Sequence, residues 1–124
     1  IATGENGYHI AHFKTLLDHQ GASILNVDVG IVPGYDVAKE VTDLAAERGV
    51  SIAPHGCQEL QIHLAAAIPH GEFLEYYPVE VDPLRAEMFL PILKPDNDGY
   101  VTVPDRPGLG FELNMDLLNK YRIA

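Results

Sequence analysis

The sequence predicts an α/β protein with parallel strands, followed by an irregular tail that wraps around it. Three observations carry that prediction. Short apolar runs alternate with stripes at helical spacing through residue 77, the connections between them are short, and from Pro78 onward the texture becomes proline-rich and aperiodic. A strand, a crossover helix and a further strand place successive strands parallel, with right-handed connections.

Each element has its own signal. Ile1-Ala2-Thr3-Gly4-Glu5 reads as the closing part of a strand. Ile10, Phe13, Leu16 and Leu17 fall at the spacing of a helix that buries one face, and Gly21 is expected to stop it at C′. Residues 23–27 (SILNV) suit a buried strand that ends at Asp28. After a loop with Gly30, Pro33 and Gly34, Asp36 is expected to cap a second helix through Val37, Val41, Leu44 and Ala45, ended by Gly49. Residues 50–53 form the next strand candidate and run into Pro54 and His55. Leu60, Leu64 and Ile68 mark a third helix reaching down to Pro69, and residues 73–76 are the last strand candidate. In the tail, residues 100–103 are expected as a short edge strand after the Asn97-Asp98-Gly99 turn, and Leu113, Leu117, Leu118 and Tyr121 suggest one terminal helix.

Composition narrows the function classes. The 124 residues carry 18 Asp and Glu against 8 Lys and Arg, a net charge of -10, which is the wrong sign for a polyanion partner. No apolar run approaches the roughly 18 residues of a membrane span, and the single cysteine, Cys57, has no intrachain partner for a disulfide. The expectation is a reduced cytoplasmic protein, without nucleic acid or membrane. Ile1 stands where a Met would, with a strand already under way, so the domain is expected to begin upstream.

The informative pattern is positional. Glu5, Asp28, His55 and Glu75 each stand at the carboxyl end of one of the successive strand candidates. Parallel α/β folds converge those ends on one face, where their sites lie. One such charge alone is more often a solvated loop residue or a helix cap; a run of them at successive ends favours a site.

These residues resemble a known family. Thr3-Gly4-Glu5-Asn6, Asp28, Ala53-Pro54-His55-Gly56 and Phe73-Leu74-Glu75, with the closing Asp98-Gly99-Tyr100-Val101 and Val103-Pro104-Asp105-Arg106-Pro107-Gly108-Leu109-Gly110, look like the enolase superfamily, mandelate racemase subgroup. The resemblance implies the C-terminal half of a modified TIM (β/α)7β barrel over residues 1–77. It also implies a segment, 78–124, that packs back on the barrel and a capping domain. The capping domain and the first half-barrel are absent from these residues. Carried over by position, Glu5 matches a carboxylate ligand of Mg²⁺, His55 the general base, Asp28 the carboxylate paired with it, and Glu75 the acid that hydrogen-bonds the substrate carboxylate. His9, Gly56 and Tyr77 are placed to contact substrate. The implied activity is removal of the proton α to a carboxylate in a hydroxy acid or acid sugar. A dehydratase is favoured, with a racemase or epimerase as the alternative.

The residue types suit that chemistry. A proton beside a carboxylate is weakly acidic, so the enolate that forms needs a hard cation with oxygen ligands. An imidazole with an ordinary pKa near 6.5 serves as base, and a paired carboxylate orients it. Protonated His55 can then assist departure of a β-hydroxyl. One departure from the subgroup is Pro33-Gly34, where a Gly-Gly pair is usual, which bears on the loop rather than on Asp28.

Other readings are weaker. His9, His12, His19, His63 and His70 fit no compact zinc pattern, Cys57 reads as a small residue in a first helical turn, and Pro107-Gly108-Leu109-Gly110 reads as a rigid turn. With one metal carboxylate in hand, the chain alone is expected to be inactive. A half-barrel leaves open sheet edges, so a homo-oligomer, or a non-catalytic fragment that pairs with itself, is the competing expectation.

Overall fold

A computed structural model of the chain describes residues 1–71 and 73–123. They divide into two compact units, Ile1–Glu75 and Tyr76–Ala124.

The first unit runs β1 (Ala2–Thr3), α1 (Ile10–Asp18), β2 (Ile24–Leu25), α2 (Gly34–Glu47), β3 (Ser51–Ile52) and α3 (Gln58–Ala67). Its sheet has the order β1-β2-β3, all parallel, with Ala2 opposite Ile24 and Ile24 opposite Ser51. The α/β character and parallel strands are therefore as expected. The regular strands are short, but the ladder continues beyond them. Ala53 N–H donates to Leu25 C=O at 3.0 Å and His55 N–H to Val27 C=O at 3.1 Å.

The expected strand over residues 73–76 does not form. Among the described residues, this part of the chain meets β3 at one parallel bridge, between Ile52 and Gly71, and Phe73 is 70% exposed. Pairing at a single residue leaves the following backbone without a ladder to hold it extended.

The helices dock through the apolar faces their spacing defines. Phe13 and Leu17 of α1 and Ala38, Val41 and Ala45 of α2 join Leu25, Val27 and Ile52 in one buried cluster. Each large side chain so buried stabilises the unit by about 2 kcal/mol. At the end of α1 the left-handed residue is Gln20 (φ 53), not Gly21. Gly21 instead occupies the following position, where its N–H donates to Leu16 C=O at 2.8 Å while Gln20 N–H donates to Leu17 C=O at 3.1 Å. This is a Schellman closure shifted by one residue from the expectation. Gly49 (φ 66) closes α2 in the expected way. Asp36 is not its cap. The helix starts earlier, at Gly34, with Pro33 in the cap position, so Asp36 lies inside the first turn, where its charge faces the positive end of the helix dipole.

The second unit holds α4 (Pro83–Glu87), β4 (Phe89–Leu90), β5 (Glu112–Leu113) and α5 (Met115–Lys120), with β4 antiparallel to β5. The edge strand expected over residues 100–103 is absent. Asp96 Oδ1 accepts from the N–H groups of both Asp98 and Tyr100, each at 2.9 Å, which closes a local turn in place of a ladder. Leu113 lies in β5 rather than on the terminal helix, and Asn114 caps that helix by accepting from Leu117 N–H at 3.2 Å. The short α4 has a sequence signal that periodicity passes over: Asp82 caps it and Pro83 opens it.

Candidate active site

Strand register assembles the site. Ile24 pairs with Ser51 and Leu25 with Ile52, so β2 and β3 run with a constant offset. Carried three residues further, that offset sets Asp28 beside His55, and the bond from His55 N–H to Val27 C=O shows the ladder reaching that far. His55 Nδ1 lies 3.1 Å from Asp28 Oδ2. The Asp28 side chain is 11% exposed and that of His55 35%, so the carboxylate is sheltered while the ring remains reachable from solvent.

Asp28 is held from several sides. Its Oδ1 accepts from Gly30 N–H at 2.8 Å and from Gln61 Nε2 at 2.8 Å. Its Oδ2 is left for His55. These donors satisfy a carboxylate that is nearly removed from solvent. Asn26 supports the same corner by donating from Nδ2 to Ala53 C=O at 2.7 Å, which ties the end of β2 to that of β3.

Glu75 reaches the other edge of the ring. Its Oε2 accepts from Gly56 N–H at 2.9 Å and lies 3.8 Å from His55 Nε2. The imidazole thus has a carboxyl group near each nitrogen. Gly56 has φ +99, and its backbone packs directly against Asp28.

Glu5 follows β1, between Gly4 and Gly7. Those two glycines lie against the Phe13 ring, with Gly7 N–H donating to Gly4 C=O at 2.9 Å. Glu5 Oε2 accepts from Gly4 N–H at 3.0 Å. A carboxylate is the right donor type for Mg²⁺. Among the described residues, however, no group of three or more His, Cys, Asp or Glu side chains is arranged to hold a metal ion.

The remaining candidates are placed as follows. His9 caps α1, with Nδ1 accepting from Ala11 N–H at 3.2 Å. Tyr77 belongs to the second unit, where the Arg85 guanidinium stands 4.3 Å from its ring centre. Cys57 is the cap residue of α3, and its Sγ donates to Glu59 Oε2 at 3.3 Å. Burial pushes the Cys57 thiol above its ordinary pKa, and the hydrogen bond and charge of Glu59 push it further, which disfavours a thiolate nucleophile. Burial also raises Tyr35, whose hydroxyl donates to Leu60 C=O at 2.7 Å.

Sequence reasoning missed the polar face of α3. Gln58, Glu59 and Gln61 are fully buried, whereas Leu60 of the predicted stripe is only partly so. The available signal was Gln58, Gln61 and Ile62 at i, i+3 and i+4, a helical face that mixes amides with an apolar residue.

Comparison with known proteins adds to this geometry. A family model described as enolase C-terminal domain-like matches residues 1–117. The chain is 28% identical, over its whole length, to 3,6-anhydro-alpha-L-galactonate cycloisomerase of Streptomyces coelicolor, covering 33% of that protein. It is 32% identical to L-talarate/galactarate dehydratase of Salmonella typhimurium over 92% of the chain and 27% of that protein. Among solved structures, L-talarate dehydratase from Polaromonas sp. JS666, complexed with Mg and L-glucarate, matches with a TM-score of 0.80 and 33% identity over 96% of the chain and 32% of its own. The chain spans about a third of the length of these relatives.

Proposed function

The chain belongs to the enolase C-terminal domain-like family, and from that premise we propose that it forms the C-terminal half-barrel and tail of a Mg²⁺-dependent acid-sugar dehydratase. The carrying observation is the His55–Asp28 contact at 3.1 Å with Glu75 at the opposite nitrogen.

In this reading Asp28 accepts the Nδ1 proton of His55, which leaves the Nε2 lone pair directed outward as the base. His55 removes the proton α to the substrate carboxylate. The imidazolium that results is stabilised by Asp28 and then returns its proton to the departing β-hydroxyl. Glu75, whose Oε2 already accepts from Gly56 N–H, is the group that hydrogen-bonds the substrate carboxylate through Oε1 as negative charge builds there. Glu5 would supply one oxygen ligand of Mg²⁺, which would stabilise developing charge on the substrate carboxylate when bound. His9, Gly56 and Tyr77 are the proposed substrate contacts.

The test is α-proton exchange. The protein that carries this segment, incubated with Mg²⁺ and a panel of aldonates and aldarates in deuterium oxide, is expected to exchange and dehydrate one of them. The His55→Asn variant is expected to do neither, and dehydration retained in that variant overturns the assignment. The cycloisomerase relative favours a second reading, isomerisation by the same base. An isomeric product formed without loss of water distinguishes it.

A further inference from the structure

We propose that Gln61 is the positioning residue of the base pair: it fixes the Asp28 carboxylate so that His55 carries its proton on Nδ1 and presents Nε2 to the substrate. This assignment rests on the reading of Asp28 and His55 as the base pair and deepens it.

Gln61 lies on α3 and is fully buried. Its Nε2 donates to Asp28 Oδ1 at 2.8 Å, and its Oε1 accepts from Val29 N–H at the long distance of 3.5 Å. The second contact sets which end of the amide faces Asp28, because Val29 N–H requires an oxygen. Gly30 N–H takes the same Oδ1 from the loop side, so Oδ1 is saturated by two donors from different elements. With Oδ1 occupied, Oδ2 is the oxygen left to receive the Nδ1 proton of His55. Without Gln61 the carboxylate is restrained by one short-range backbone donor and can turn about its Cβ–Cγ bond. Gln61 touches neither nitrogen of the ring, so it acts wholly through Asp28.

The experiment is nitrogen-15 NMR of the His55 ring in the 124-residue chain, at a pH high enough to keep the ring neutral. The wild-type chain is expected to show mainly the Nδ1–H tautomer. In Gln61→Met, which keeps the volume and removes the donor, the ratio of Nδ1–H to Nε2–H is expected to fall by about tenfold, the worth of one charge-assisted hydrogen bond. An unchanged ratio in a folded Gln61→Met chain overturns the role of Gln61 and leaves the base pair standing. A wild-type ring that is mainly Nε2–H overturns the base pair, and the proposal with it. If Gln61→Met does not fold, the wild-type side-chain amide protons of Gln61 decide. Slow hydrogen exchange supports the contact, and exchange as fast as that of an exposed glutamine overturns it.

Discussion

Gly56 and Asp28 share one corner of the fold so closely that a β-carbon at position 56 would stand 2.9 Å from the Asp28 carboxyl carbon and collide with Oδ2. The glycine therefore does two things at once. It adopts a φ of +99 that side chains disfavour, and it lets the carboxylate approach the backbone next to His55.

Replacing it makes the first prediction. Gly56→Ala is expected to destabilise the chain by about 2 kcal/mol or more, from backbone strain and the clash together. Urea denaturation measures this. A midpoint equal to wild type, with the His55 tautomer unchanged, would show that the corner has slack the structure does not suggest.

Glu75→Gln separates charge from shape. The glutamine oxygen still accepts from Gly56 N–H, so the fold and the Gly56 contact should persist, while the carboxylic proton is gone. In the protein that carries this segment, turnover is expected to drop by about a hundredfold or more, with substrate affinity much less affected. Steady-state kinetics check it, and full turnover removes Glu75 from the proposed mechanism.

The third prediction concerns the metal. In the proposed reading Glu5 is the one Mg²⁺ carboxylate among the described residues, and Mg²⁺ gives up its water reluctantly to so few ligands. Isothermal titration of the 124-residue chain should show no saturable Mg²⁺ binding below about millimolar concentration. Micromolar binding would mean that these residues gather a ligand set the geometry lacks.

Cys57 gives a prediction with a pH sign. Its folded pKa is raised, first by burial and then by Glu59, so the folded chain holds the thiol proton at pH values where the unfolded chain has released it. Stability from this group is fully present below the ordinary thiol range and is lost as pH rises through the raised value. Alkylation by iodoacetamide should accordingly be slower than for an exposed cysteine, and Glu59→Gln should speed it. A rate matching a free thiol in the folded wild type contradicts the prediction.

The parts of this fold that were legible in the sequence are those set by local spacing. Phe13 and Leu17, and Val41 and Ala45, announced their helices because one helical face must be apolar to be buried. Asp28 and His55 were legible as strand ends, and register then brought them together. What was not legible depends on partners distant in sequence. Residues 73–76 have strand composition, but the parallel bridge to β3 lies before them, at Gly71, and Tyr100 N–H is taken by the Asp96 side chain. Gln61 was missed for a different reason. Its spacing with Gln58 and Ile62 marks a shared helical face, but the carboxylate it serves lies 33 residues away.

The constant offset between β2 and β3 divides the labour at this corner. The ladder brings Asp28 to His55, while the loop that follows Asp28 braces it, through the N–H groups of Ile31 and Val32 on Asp28 C=O and the buried Val32 side chain. A change in that loop is therefore expected to loosen the carboxylate before it alters which residue of β3 stands beside it.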